Sequence, residues 1–199
     1  MLRAGLVRTF LIMPVTRLTI DTAGLLVIDI QEKLVESIVD RDRLVTNSSI
    51  LLRMASELGM PYFVTEQYPA GLGRTIEEVT SAMTDPSRRV EKSRFSAAID
   101  LITDQFVAWR RSCVIICGIE AHVCVLQTVL DLQEAGFHCF LCSDAISANQ
   151  QGQIAPALRR MERAGAVSTG VLSVMYELIG DAAHPAFRSL LELAKEIRQ

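Results

Sequence analysis

Three side chains in this sequence could together perform nucleophilic catalysis: a thiol, a carboxylate and an amine. Cys124 follows the apolar run CVIICGI, near the start of a segment, EAHVCVLQTVLDLQEAG, that has helical periodicity. The apolar run LLVI ends at Asp29, and the short run RVE ends at Lys92. A thiol in the first turn of a helix is expected to ionise readily, because unpaired N–H groups and the helix dipole favour the thiolate. These residues predict a cysteine hydrolase.

The elements that must position these residues alternate along the chain. Helices are predicted between and after the strands, and the loop EQYPAGLGR at 66–74 is predicted to be irregular because of its Pro and Gly residues. Such alternation predicts a three-layer α/β/α sandwich with a Rossmann-like six-stranded parallel sheet, in which the carboxyl ends of the strands meet at one edge. Strands are predicted at 24–30, 62–65, 89–92, 113–119, 138–145 and 166–168, and helices at 40–58, 75–83, 97–111, 122–135, 153–164 and 185–197.

Composition indicates one globular domain and narrows the classes of partner. The chain has 199 residues, of which half are hydrophobic and 22% are charged. Its net charge is −3 and its basic residues are scattered, which disfavours binding to nucleic acid. The apolar stretches are too short to cross a bilayer, so no membrane partner is expected. We predict a hydrolase domain at residues 20–199, preceded by an N-terminal extension at residues 1–19.

Two features bear on the compartment. The five cysteines, an odd number at irregular spacing, argue against a disulfide framework and for a reducing environment. Arg3, Arg8 and Arg17 precede the first acid, Asp21, as in some mitochondrial import sequences, but the stretch is short and poor in Ser. A cytoplasmic protein with a surface extension is the favoured interpretation, and a mitochondrial location is the alternative.

The chain resembles the isochorismatase-like cysteine hydrolases, a family that includes nicotinamidases and N-carbamoylsarcosine amidohydrolases. The matching pieces are VIDIQ with Asp29, VEKSRFSA with Lys92 and GIEAHVCV with Cys124, in the order of the family. The resemblance extends over residues 20–183. The segments TEQYPAGLG and GDAAHPAF are most similar to the isochorismatase-domain-containing branch.

The resemblance implies a mechanism with a thioester intermediate. Asp29 would take the proton of Cys124 and deliver it to the leaving group, while Lys92 would hold both groups and lower the pKa of the thiol. The thiolate would attack a carbonyl carbon, and water would hydrolyse the thioester. The family binds the oxyanion with two backbone N–H groups, here those of Cys124 and Glu120, and has a cis peptide bond that matches Ile119–Glu120.

The resemblance also suggests a substrate pocket without a metal or another cofactor. Where nicotinamidases have metal-binding residues, this chain reads TEQYP, and its only histidines are His122, His138 and His184. Gln31 is expected to bind the loop or Asp29 rather than to do chemistry. Glu120 is either a carboxylate at the rim that repels anionic substrates or a structural residue. The pocket residues proposed are Gln31, Gln67, Tyr68, Phe95 and Glu120.

The predicted function is therefore hydrolysis of a small amide or carbamoyl compound, with a small molecule as partner. Two other classes stay open: a binding or scaffold protein that keeps the triad without turnover, and a nuclease. The nuclease lacks support because the sequence has neither a basic stripe nor a cluster of acids for a metal. A homo-oligomer is expected, since oligomers are common in the resembling family.

Overall fold

The computed structural model describes residues 15–198, in which six parallel strands form one sheet. The order of the strands is β3-β2-β1-β4-β5-β6. β1 pairs with β2 on one side and with β4 on the other, with Ile28 beside both Thr65 and Gly118. The strands are β1 (Ala23–Ile28), β2 (Tyr62–Gln67), β3 (Arg89–Lys92), β4 (Cys113–Gly118), β5 (His138–Ile146) and β6 (Val167–Thr169).

Helices connect the strands and cover both faces of the sheet. The 3₁₀ turn Pro86–Arg88 precedes β3, and one turn of π-helix, Ala121–Val125, follows β4. The α-helices are α1 (Glu32–Val35), α2 (Arg41–Glu57), α3 (Pro69–Leu72), α4 (Glu77–Thr80), α5 (Asp100–Ala108), α6 (Leu126–Glu134), α7 (Gln151–Arg163), α8 (Val171–Ile179) and α9 (Phe187–Ala194).

Two hydrophobic cores lie on opposite faces of the sheet. Side chains of a strand point alternately to its two faces. Cys139 and Cys142 of β5 are three residues apart, an odd number, and therefore belong to different cores. One core joins the sheet to α2, α8 and α9, and the other joins it to α5, α6 and α7. β1 and β4 are buried along their whole lengths, as expected for central strands of a parallel sheet. The predicted three-layer α/β/α sandwich is therefore confirmed.

The order of the strands also places the site. The chain runs outward from β1 to β2 and β3, and then crosses back to β4 on the other side of β1. Such a reversal opens a crevice at the carboxyl ends of the strands, because the loops on either side lead away from each other. The ends of β1, β3 and β4 therefore converge at one edge.

One segment differs from the sequence prediction. Residues 66–74 were expected to be irregular, but β2 continues through Gln67 and α3 forms at Pro69–Leu72. Proline is well tolerated at the first position of a helix because its missing N–H group would have no partner there. Gly73 then ends the helix with a φ of 82°, a conformation that favours glycine.

The start of the chain is described only from residue 15 onward. Leu18 is buried, and its N–H group donates a hydrogen bond to Glu177 Oε1 at 2.9 Å. The predicted extension at residues 1–19 and its resemblance to an import sequence lie mostly outside the described residues. Within residues 15–198, no helix is long and apolar enough to cross a membrane.

Candidate active site

Asp29 and Lys92 form a buried ion pair at the carboxyl edge of the sheet. Asp29 directly follows β1, and Lys92 is the last residue of β3. Lys92 Nζ lies 2.7 Å from Asp29 Oδ2, and the side chains are 1% and 0% exposed, respectively. Two charges so far from water are stable only when each neutralises the other and its remaining hydrogen bonds are made. The pair is therefore a fixed element of the site.

The other contacts of Lys92 hold its ammonium group in place. Nζ donates to Gln67 Oε1 at 2.9 Å, to the Phe95 carbonyl at 2.9 Å and to the Arg94 carbonyl at 3.2 Å. With Asp29 Oδ2, these make four acceptors for an ammonium group that has three protons. Lys92 therefore acts on its neighbours as a fixed positive charge and has no proton to spare for another acceptor.

Thr65, on the neighbouring strand β2, binds the second oxygen of Asp29. Its hydroxyl group donates to Asp29 Oδ1 at 2.7 Å, and its carbonyl accepts from the Asp29 N–H group at 3.2 Å. Asp29 itself has a φ of 52°, in the left-handed region that aspartate tolerates better than most residues. The carboxylate is thus held from both sides, by Thr65 and by Lys92.

Cys124 lies against this pair, but its state differs from the sequence prediction. It stands in the π-helical turn before α6 rather than in the first turn of an α-helix, and it is 6% exposed. Burial raises the pKa of Cys124 to about 12, the Asp29 and Glu120 carboxylates add to the rise, and the Lys92 charge only partly opposes it. The predicted lowering of the pKa of this thiol is therefore wrong. Loss of water around the sulfur outweighs the charge of Lys92.

The segment between β4 and Cys124 contains the predicted oxyanion site. The Ile119–Glu120 peptide bond is cis. Glu120 precedes the π-helical turn, and among the described residues its N–H group donates no hydrogen bond to the protein. Its carboxylate accepts from the Asn149 N–H group at 2.9 Å. The Glu120 side chain therefore has a structural contact with the loop after β5, which favours the second of the two interpretations of this residue.

The other predicted pocket residues fall into two groups. Gln31 is fully buried, and its amide group binds backbone groups of Gln67 and Gly73. Gln67 joins Lys92 to the Ser93 carbonyl. These two glutamines therefore fix the framework of the site. In contrast, Tyr68 and Phe95 are 61% and 53% exposed and lie on the loops that follow β2 and β3.

Sequence reasoning missed two threonines of the site. Thr65 binds Asp29, and Thr128 of α6 donates to the Cys124 carbonyl at 2.6 Å while accepting from the Ala97 N–H group at 2.8 Å. Thr65 had a signal, since it is a polar residue at the end of an apolar strand. Thr128 is four residues after Cys124, so it lies one helical turn further on.

A shallow cavity of about 260 Å³ lies beside β3, lined by Tyr68, Pro69, Glu91, Lys92 and Ser93, and neither Asp29 nor Cys124 lines it. Among residues 15–198, no group of three or more His, Cys, Asp or Glu side chains is arranged to hold a metal ion. The site brings together a carboxylate and an ammonium group in contact, and a thiol on which both charges act.

Comparison with known proteins identifies the family. The isochorismatase domain model matches residues 23–171. Isochorismatase family protein 1B of Dictyostelium discoideum is 34% identical over 182 residues, which cover 89% of this chain and 88% of the relative.

Solved structures agree with this match. The structure of the MAR1 ribonuclease from Caenorhabditis elegans is 35% identical with a TM-score of 0.86, covering 89% of this chain and 92% of that chain. YcaC from Pseudomonas aeruginosa, described with hexane-2,5-diol and covalent acrylamide, is 25% identical with a TM-score of 0.80, covering 93% and 97%. The chain therefore belongs to the isochorismatase-like hydrolase family.

Proposed function

We propose that this protein is a cysteine-dependent hydrolase of a small amide or carbamoyl compound, with Asp29, Lys92 and Cys124 as its catalytic residues. The observation that carries the proposal is a buried carboxylate–ammonium pair at the carboxyl edge of the sheet, whose charges both act on the thiol of Cys124. The carboxylate and the ammonium group would each be costly to bury alone, so their convergence near a thiol favours a joint role.

The first half of the reaction transfers the acyl group to sulfur. In the resting protein the raised pKa of Cys124 keeps the proton on the sulfur. Asp29 accepts that proton as the sulfur attacks the carbonyl carbon, and the electron pair of the C=O bond moves to the oxygen. The tetrahedral intermediate then expels the leaving nitrogen, which takes the proton from Asp29. The product of this half is a thioester on Cys124.

The second half restores the thiol. A water molecule gives one proton to Asp29 and attacks the thioester carbon, and the departing sulfur takes the proton back. The backbone N–H groups of Glu120 and Cys124 are the proposed donors to the oxyanion in both halves. The Lys92 charge stabilises the Asp29 carboxylate and the transient thiolate, so it acts on both halves without leaving its four contacts.

The experiment is alkylation of each cysteine by acrylamide, followed by peptide mass spectrometry, together with hydrolysis of a panel of small amides and carbamoyl compounds. All five cysteines are buried, so the other four serve as internal references for Cys124. We expect the fastest alkylation at Cys124, a large loss of that rate in Lys92→Met, and no hydrolysis in Cys124→Ser. Lys195→Met is the matched control, because Lys195 lies 2.7 Å from a carboxylate on the exposed surface.

The outcomes separate this function from the two alternatives. Alkylation of Cys124 that is no faster than that of the other cysteines would contradict the proposed role of Cys124 as the nucleophile. Fast alkylation without hydrolysis of any compound would favour a binding or scaffold protein. Because the nematode relative is described as a ribonuclease, a single-stranded RNA belongs in the panel. Cleavage of the RNA that depends on Cys124 and Lys92 would show that RNA, rather than an amide or carbamoyl compound, is the substrate.

A further inference from the structure

Asp29 has a second buried partner that the proposed mechanism does not use. Thr65 is fully buried, and its hydroxyl group lies 2.7 Å from Asp29 Oδ1, the oxygen that Lys92 does not contact. We propose that Thr65 is a positioning residue whose hydrogen bond to Asp29 keeps the shared proton on the Cys124 sulfur in the resting protein. The inference rests on the proposed function, in which Asp29 and Cys124 exchange that proton.

The position of Thr65 is set by the register of the sheet. Thr65 in β2 lies beside Ile28, the residue that precedes Asp29, and its carbonyl accepts from the Asp29 N–H group at 3.2 Å. Backbone and side chain of Thr65 therefore hold the same residue. A donor of this kind favours the charged form of a carboxylate over the protonated form.

The charged and titratable groups around Asp29 come from three further elements. Lys92 comes from β3, Cys124 from the π-helical turn, and Glu120 from the loop after β4. Thr65, from β2, is the one partner of Asp29 in this group that neither carries a charge nor ionises. Replacing it by valine removes a proton donor and changes no charge, and the two side chains have nearly the same shape. Thr65→Val thus tests the hydrogen bond alone.

The expected effect follows from competition for one proton. Asp29 and Cys124 share one proton, and the group that holds it sets the fraction of thiolate. The Thr65 donor stabilises the carboxylate and so leaves the proton on the sulfur. Without this donor the carboxylate holds the proton more strongly, so a larger fraction of the protein has a thiolate beside a protonated Asp29. Alkylation of Cys124 through this form becomes faster by the same factor.

The experiment measures acrylamide alkylation of Cys124 against pH in the whole chain. In Thr65→Val we expect the alkylation rate of Cys124 to rise about tenfold, the effect of one hydrogen bond to a buried charge, with no such rise at the other four cysteines. Thr65→Ser keeps the donor and should match wild type. Thr103→Val is the control, because Thr103 also donates a hydrogen bond through its hydroxyl group but lies on α5.

Each outcome decides the question. A rise in rate that the other four cysteines share would show that Thr65 only supports the structure, and an unchanged rate at Cys124 would show that its hydrogen bond does not act on the proton. Thr65→Ala, which also lacks the donor, gives the same test if the valine variant does not fold. Failure of Cys124 in wild type to alkylate faster than the other cysteines would overturn the proposed function and this inference together. Normal wild-type reactivity with no rise in rate in either variant overturns the inference alone.

Discussion

Substitutions of Lys92 and Asp29, the buried pair, should have strongly non-additive effects on the free energy of unfolding. Replacing either residue by a neutral one of similar size, Lys92→Met or Asp29→Asn, leaves the other charge buried and unpaired. Both side chains are at most 1% exposed, so water cannot solvate the remaining charge. We expect each single substitution to lower the free energy of unfolding by about 3–5 kcal/mol.

The double variant measures how much of this loss comes from the interaction between the two residues. With both charges gone, no buried charge remains, so the loss should be smaller than the sum of the two single losses by about 2–3 kcal/mol. Gln67 and the Phe95 carbonyl still lose a donor, so the double variant should not recover wild-type stability.

An exposed pair of the same chemistry is the control. Lys195 lies 2.7 Å from Glu192, the same separation as in the buried pair, but these side chains are 62% and 69% exposed. The cycle of Lys195→Met and Glu192→Gln should give a coupling of only about 0–0.5 kcal/mol. Urea unfolding, followed by the fluorescence of the single tryptophan, Trp109, measures the wild type and the six variants of the two cycles. A buried coupling no larger than the exposed one would refute the argument that burial makes this pair a fixed unit.

Three further predictions follow from single contacts. Asp29→Asn removes a charge that raises the pKa of Cys124, so alkylation of Cys124 near neutral pH should become faster while hydrolysis is lost; slower alkylation would contradict the assigned charges. Thr128→Val removes the hydroxyl group that joins Cys124 to the loop after β3 and should lower the free energy of unfolding by about 1–3 kcal/mol in urea melts. Gly118→Ala would place a Cβ atom 2.1 Å from the Ile28 carbonyl, at a φ of 119°. It should prevent folding, whereas Gly152→Ala, at an open position in the first turn of α7, should stabilise the protein by about 0.5 kcal/mol.

The sequence predicted the elements of the site because their patterns are local. A continuous apolar run of five to seven residues can only be a buried strand or a short buried helix, and the alternation with amphipathic helices decides between them. Asp29 follows such a run and is therefore placed at a strand end, whereas Lys92 follows the short run RVE, which the alternation with helices makes a strand. Because parallel strands end at a common edge, their convergence followed from topology.

The state of the thiol could not be predicted in the same way. The helix start at Cys124 indicated an easily ionised sulfur, but the pKa depends on how much water reaches it, and that is decided by every segment packed around the π-helical turn. The irregular loop predicted at 66–74 failed for a similar reason. Contacts of Gln31 with Gln67 and Gly73 hold an extended β2 and the short helix α3, and these contacts join residues far apart in the chain.

The sequence by itself determined the layers of the fold and the three residues that could do chemistry, since hydrophobic periodicity and residue type are properties of short segments. Only the tertiary structure decided which atoms touch: that Lys92 pairs with Asp29, that Thr65 holds the other carboxylate oxygen, and that Cys124 is too buried to ionise at rest. Hydrogen bonds and desolvation depend on separations of a few tenths of an ångström across several strands, and register and packing of the whole domain set those separations.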